Sequence, residues 1–152
     1  MTWQGKPSFL KNIKILTVGK IKEKLYKHKV NEYIKWIKRD LKLDFIVFKD
    51  KKPKDLNISL TPYYSSSIFC SLSEDGKKIN SYEFSDFIFK TNKTLVFFIS
   101  GPDGCPEIVK KNSDHIVSLS DFTFPHEMAT LILIEQIYRA ISIQKNSRYH
   151  RK

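Results

Sequence analysis

Four short stretches of this 152-residue chain hold residue types able to do chemistry. The first is Gly101-Pro102-Asp103-Gly104. Its glycines permit a tight turn and close backbone approach, and Pro106 suits the first turn of a following helix, so nearby N–H groups could meet an acceptor or an anion. An ordinary strand-to-helix turn accounts for the same four residues. The second stretch is SLSDFTFPH, Ser118 to His126. Backbone amides and carbonyls in such a loop can read an adenine edge, and Phe122 or Phe124 can wall a pocket. A capped loop whose phenylalanines are core fits equally well. The third is Glu135 with Arg139, four apart on one helix and able to pair, more commonly for structure than for catalysis. The fourth is the tail Arg148, Tyr149, His150, Arg151 and Lys152. It is either a frayed basic end or an arm that meets a polyanion, and its imidazole could take a proton near neutral pH.

These stretches must be held by elements that the apolar pattern marks out. Residues 13–18, 45–48, 68–72, 95–99 and 116–119 read as strands, the fourth apolar throughout as a strand covered on both faces should be. Residues 22–41 read as a helix with an apolar stripe of Val30, Tyr33, Ile34, Ile37 and Leu41. Its other face carries Lys22, Lys24, Lys27, Lys35 and Lys38, a solvated face or a phosphate-binding one. Residues 49–67 hold Pro53, Pro62 and a serine run, so any helix there should be short. SEDGKK (73–78) is expected to turn the chain. Asn80 and Glu83 then cap a helix to about Lys90. The helix over 125–143 is apolar almost all round through Met128, Leu131, Ile132, Leu133, Ile134, Ile137, Ala140 and Ile141. It needs cover on more than one side, for which a dimer interface is a reasonable source.

Strands alternating with helices predict an α/β fold with a mostly parallel sheet and helices on both faces. Ligands of such sheets bind beyond the carboxyl ends of the strands. The loops there are 73–76, 100–104 and 120–124.

Composition narrows the partners. The net charge is +11 and the pI about 9.6, which points to a polyanion, nucleic acid first. No basic amphipathic helix stands out for a membrane surface, and no apolar run is of transmembrane length. Cys70 and Cys105 have no metal-ligand or redox spacing, so no metal is indicated; both are expected as small buried groups in a reducing compartment. There is no P-loop and no G-x-G-x-x-G. Residues 1–11 contain no acid and are broken by Gly5 and Pro7. They read as an N-terminal arm before a single domain over 12–152.

The ordered set VGKIKE near Val18, LSEDGK from Leu72, ISGPDG from Ile99, LSDFTFPH from Leu119, IEQIYRA from Ile134 and the terminal YHRK resembles the RlmH family. These are small SPOUT-class methyltransferases of large-subunit ribosomal RNA. The resemblance runs from about Ile13 to the end. It implies a C-terminal trefoil knot and a homodimer. It also implies S-adenosylmethionine as methyl donor and N3 of a pseudouridine in the assembled ribosome as acceptor. Matched by motif, the cofactor contacts would be Leu72, Gly101, Leu119, Ser120, Asp121, Phe122, Thr123 and Phe124. Arg139, Tyr149 and His150 would lie near the acceptor, completed across the dimer, with His150 as base or proton acceptor and Arg139 holding charge.

The chain departs from the family pattern at Ser73, Ser100, Thr130 and Arg148, and residues 49–67 are expected to lack the family's long helix. A non-catalytic ribosome- or RNA-binding protein that keeps the fold is therefore the alternative. A bacterial-type cytoplasm is the expected location. Usage rich in lysine, isoleucine and asparagine leaves a plastid-type organelle open beside it.

Overall fold

A computed structural model describes residues 11–151. The arm expected over residues 1–11 lies, but for Lys11, outside the described residues, as does Lys152. The elements run β1 (Asn12–Val18), α1 (Lys24–Ile37), β2 (Lys42–Phe48), α2 (Pro53–Ser66), β3 (Ile68–Lys78), α3 (Ser81–Phe89), β4 (Leu95–Ile99), α4 (Glu107–Asn112), β5 (His115–Ser118) and α5 (His126–Lys145). The five strands form one parallel sheet in the order β2-β1-β4-β3-β5.

Alternation along the strands builds two cores. Leu95, Phe97 and Ile99 of β4 face α1, α3 and α5, where they meet Val30, Ile37, Phe84, Ile88, Leu133 and Ile137. Val96 and Phe98 face the other way, toward Leu56 and Leu60 of α2 and Val109 of α4. A strand with side chains buried on both faces is apolar at every position, and β4 is. The predicted α/β sheet with helices on both faces is therefore the architecture observed.

Local chemistry sets most boundaries. Asn80 accepts from the Glu83 N–H at 2.9 Å while Glu83 accepts from the Asn80 N–H at 2.9 Å, closing the capping box of α3. On α5, Asn146 adopts the left-handed conformation (φ 57°) and the Ser147 N–H reaches the Ser142 carbonyl at 2.9 Å. That is a Schellman-type stop, and it turns the tail back along its own helix.

Two sequence expectations fail here. Residues 49–67 do carry a long helix: α2 has 14 residues, with Pro53 at its first turn and Pro62 inside it. An interior proline costs about 3 kcal/mol. Burial of Leu56 and Leu60 contributes about 3–6 kcal/mol, and Tyr63 and Tyr64 pack on the same core. Pro62 itself is exposed. Burial therefore outweighs the breaker. The second failure is the SEDGKK turn. β3 runs on through it as a bulge, in which Leu72 and Lys77 both pair with Val117 and Ser73 to Gly76 are pushed out of register. Gly76 is required there, because a Cβ would stand 2.7 Å from the Ile116 carbonyl carbon, the Ile116 oxygen and the Val117 nitrogen.

Lys11 is only 8% exposed and donates to the carbonyls of Thr91 and Lys93, the latter at 2.8 Å. Of the cysteines, Cys70 is buried as expected but Cys105 only half-buried. Burial pushes both thiols up, Cys70 to about 12.

Candidate functional site

The three loops expected at the carboxyl ends of the strands converge. The β3 bulge supplies Leu72, Ser73, Glu74 and Asp75 to one cleft of about 940 Å³. The β4–α4 turn supplies Ser100 to Gly104. The β5–α5 loop supplies Leu119, Ser120, Phe122, Thr123 and Phe124, and the first turns of α5 add His126 and Ala129.

Each loop is pinned. The Gly104 N–H closes the second on the Gly101 carbonyl at 3.1 Å, with Gly104 at φ +82°. In the third, the Ser118 hydroxyl donates to the Ser120 carbonyl at 2.9 Å and the Phe122 N–H donates to the Ser120 hydroxyl at 3.0 Å. The Thr123 hydroxyl donates to Glu74 at 2.9 Å and Lys78 pairs with Asp121. The bulge and the third loop are thus fastened along the cleft's rim. Lys110 of α4 meets Asp75 at 3.0 Å. This pairing holds the Lys110 amine above its ordinary value; the Ser73 hydroxyl, then Lys110, holds Asp75 below its own.

Seven of the residues expected to contact a cofactor line the cleft: Leu72, Gly101, Leu119, Ser120, Phe122, Thr123 and Phe124. Asp121 does not; its carboxylate is 80% exposed and turned to Lys78. Phe122, expected as a wall, stands 77% exposed at the mouth. Sequence reasoning placed the 73–76 loop at the site but singled out neither Glu74 nor Asp75, and it missed Lys110. The acid-rich segment 73–76 read as a turn, and Lys110 of α4 carried no signal of its own.

The cleft suits a cofactor such as S-adenosylmethionine. Its volume lies within the range of small-molecule sites. Leu72, Leu119, Phe124 and Ala129 offer apolar surface to a flat base. Glu74, Asp75 and Asp103 offer carboxylates to a cationic, hydroxyl-bearing group.

Arg139, Tyr149 and His150 also come together, but elsewhere. Arg139 Nε donates to Glu135 Oε1 at 2.7 Å, and its Nη2 lies 2.7 Å from the same oxygen. The carboxylate raises the already high Arg139 value. Arg139 Nη1 lies 3.1 Å from His150 Nδ1. A guanidinium can only donate. So Nδ1 is the accepting nitrogen, and the neutral ring carries its hydrogen on Nε2, which is shielded and has no hydrogen-bond partner. In this arrangement His150 is a donor at Nε2. It becomes a base only if Arg139 lets go of Nδ1. The Arg139 guanidinium lies 5.0 Å from the centre of the Tyr149 ring. Burial first, and the Tyr33 hydroxyl second, push the Tyr149 phenol up.

None of the three lines the cleft. His126 does, and Arg139 is thirteen residues further along α5, about 20 Å at 1.5 Å per residue. Within one chain the two groups of residues are separate. Thr130, a departure from the family pattern, is buried with its hydroxyl donating to the His126 carbonyl at 2.8 Å.

A parallel sheet of this order, with its cleft built from three loops at the carboxyl edge, is the architecture of a SPOUT-type methyltransferase, and the model described as "Predicted SPOUT methyltransferase" matches residues 11–150. A protein of Dictyoglomus thermophilum named ribosomal RNA large subunit methyltransferase H is 40% identical over 91% of this chain and 99% of its own. Proteins of the same name from Prochlorococcus marinus and Clostridium botulinum are 43% and 35% identical, over 90% and 92% of this chain and 94% and 99% of theirs. The chain belongs to this RlmH family of SPOUT methyltransferases. Among solved structures, a probable methylase family protein from Haemophilus influenzae shares the fold at a TM-score of 0.61 with 10% identity, over 95% of this chain and 72% of that one. The SpoU methyltransferase AviRb from Streptomyces viridochromogenes, solved with AdoMet, shares it at 0.53 with 10% identity, over 88% and 59%. Among the described residues no cluster of candidate ligands could hold a metal ion, and no helix is long and apolar enough to cross a membrane.

Proposed function

We propose that this protein transfers a methyl group from S-adenosylmethionine to N3 of a pseudouridine in large-subunit ribosomal RNA of the assembled ribosome, acting as a homodimer in a bacterial-type cytoplasm. The observation that carries this reading is the convergence of three pinned loops on one cleft in a chain of this family. Within it, Leu72, Gly101 and the loop from Leu119 to Phe124 hold the cofactor. Asp121 serves from the rim, through Lys78. The trefoil threading that the family implies, and a single domain over 12–152, belong to the same proposal.

When bound, the cofactor supplies an activated methyl group on a sulfonium, which needs no metal, only an aligned nucleophile. The acceptor's imide nitrogen must lose its proton to attack. Arg139 supplies a fixed charge to hold the resulting anion. His150, with its hydrogen on Nε2, would donate to a carbonyl of the same ring once the tail moves to uncover that nitrogen, which is shielded within one chain. The displaced proton goes to water. The new N–CH3 bond replaces the S–CH3 bond, whose electron pair stays on sulfur.

The 20 Å of α5 between the cleft and this group is why a second copy is needed: one protomer's tail faces its partner's cleft. Met128 and Ile132 of α5 are only half-buried in one chain, which supports such a contact. The exposed lysines of α1 and its flanks, Lys22, Lys24, Lys27, Lys35 and Lys38, supply the charge to meet ribosomal phosphate. Glu127 accepts from the backbone N–H of Lys22 and Glu23 at 2.9 and 3.0 Å, so this basic segment is tethered to the cleft end of α5.

The test is calorimetric titration with S-adenosylmethionine and S-adenosylhomocysteine, then methylation of ribosomes lacking the modification. A Cβ at Gly101 would already touch Val18 Cγ1 at 3.4 Å, so Gly101→Val should abolish binding in folded protein, as should Thr123→Arg. No binding at millimolar ligand by a folded dimer would favour the non-catalytic alternative. The missing helix that had spoken for that alternative is present as α2.

A further inference from the structure

We propose that Tyr33 of α1 and Tyr82 of α3 are positioning residues that fix the tail pair Tyr149 and His150 for methyl transfer, a proposal that rests on the function just argued. No motif contains either tyrosine; each is brought to the tail by the fold.

Glu135 Oε1 can only accept, so Tyr149, whose hydroxyl lies 3.4 Å from it, donates. The Tyr33 hydroxyl is 2.9 Å from the Tyr149 hydroxyl, and the two share a hydrogen bond. Arg139 donates to Glu135 on one side and to His150 Nδ1 on the other. These contacts join Tyr33, Tyr149, Glu135, Arg139 and His150 in one network. At its end the His150 Nε2–H is buried without a hydrogen-bond partner. A buried donor without a partner is costly, and a carbonyl reaching it as the tail moves would satisfy it.

The ring must also be held in place. Tyr82 does this from α3: its ring centre lies 4.8 Å from the imidazole with the planes at 87°. The Ser142 hydroxyl accepts from the His150 N–H at 3.3 Å and fixes the backbone beside it. Tyr138 meets the Tyr149 ring at 4.7 Å and 82°, and Tyr33 packs on Tyr138 at 5.7 Å. α1 thus grips Tyr149 through a hydroxyl, and α3 grips His150 through a ring face or edge. The two tyrosines should answer differently to loss of the hydroxyl.

The experiment measures methylation of unmodified ribosomes, S-adenosylmethionine Kd, and the ¹⁵N imidazole resonances of His150, in the full chain and its Tyr33→Phe, Tyr82→Phe, Tyr82→Leu and His150→Ala variants. Tyr33→Phe and Tyr82→Leu should lower kcat at least tenfold, leave Kd and ribosome KM within twofold, and replace the single Nε2–H tautomer by a mixture. Tyr82→Phe, which keeps the ring, should stay within threefold of wild type. Wild-type kcat and an unchanged single tautomer in both Tyr33→Phe and Tyr82→Leu would overturn the proposal. A wild-type protein that methylates no ribosome, with the single tautomer still lost in Tyr33→Phe and Tyr82→Leu, would overturn the proposed function and leave only the hold of these tyrosines on the tail. Full turnover by His150→Ala would remove the tail, and these roles with it, from the reaction.

Discussion

Gly76→Ala tests whether the β3 bulge builds the cleft. The added Cβ would lie 2.7 Å from three backbone atoms of Ile116 and Val117. None of these can rotate away, so the bulge must move outward by about 0.7 Å to reach ordinary contact near 3.4 Å. Overpacking of this kind costs about 1–3 kcal/mol. Loss of glycine's freedom in the unfolded chain returns about 0.4–1 kcal/mol. A net destabilisation of about 1–2 kcal/mol lowers Tm by about 2–8 °C in a domain of this size. The same movement shifts Leu72, Glu74 and Asp75, which form one wall of the cleft, and strains the Glu74–Thr123 bond across its rim. S-Adenosylmethionine Kd should therefore rise at least tenfold at a temperature where the variant is fully folded. Scanning calorimetry gives the first number and titration calorimetry the second. Gly104→Ala is the control: its site is open, so only the strained φ of +82° opposes a side chain. A Gly76→Ala protein with wild-type Tm and wild-type Kd would refute the reasoning outright.

Other perturbations separate the remaining parts. Arg139→Lys keeps a charge but loses the fork that spans Glu135 and His150; kcat on ribosomes should fall about 10- to 100-fold with cofactor Kd unchanged, by single-turnover methylation. Pro62→Ala restores an N–H inside α2 and should raise stability by about 1–2 kcal/mol in urea titration; a loss would mean the proline is needed where it stands. Burial lowers the Lys11 amine to about 8 from its ordinary 10.5. The unfolded chain then binds that proton more tightly than the folded one between pH 8 and 10.5, so stability relative to Lys11→Met should rise with pH across that window and be flat below it. Urea midpoints at pH 7.5 and pH 10 decide the sign; a fall at the higher pH would show that the carbonyls of Thr91 and Lys93 favour the ammonium more than burial opposes it.

How far the sequence could be read follows from what kind of contact made each feature. The strands, the α3 capping box and the α1 stripe rest on neighbours within a few residues, and periodicity exposes these directly. α2 was misread because Pro53, Pro62 and the serines are local signals, whereas the burial of Leu56 and Leu60 that overrides them depends on β1, β3 and β4. The SEDGKK bulge was misread for the same reason: whether such a segment turns or bulges depends on β5, some forty residues on. The loops proposed to hold the cofactor were legible as motifs. The partners of the tail were not, since Tyr33 lies 116 residues from Tyr149 and only the packing of α1 on α5 joins them.

α5 sets the logic of the proposed enzyme. It begins in the cleft at His126 and ends at the αL stop of Asn146, which folds the tail back beside Arg139. A helix is stiff, so the two groups cannot close the intervening 20 Å by flexing. A methyl group moves only between atoms already in contact, so a single chain that binds the cofactor perfectly would still be unable to use its own tail. On the proposed reading, catalysis is thus a property of the pair. Mixing a Gly101→Val chain with a His150→Ala chain should restore activity that neither has alone, because one kind of heterodimer carries an intact cleft opposite an intact tail. Random pairing makes half of the dimers mixed, each with one good site of two, so about a quarter of wild-type turnover is the expected recovery. No recovery from chains proven to exchange would place cleft and tail in the same protomer, and would require α5 to break during the reaction.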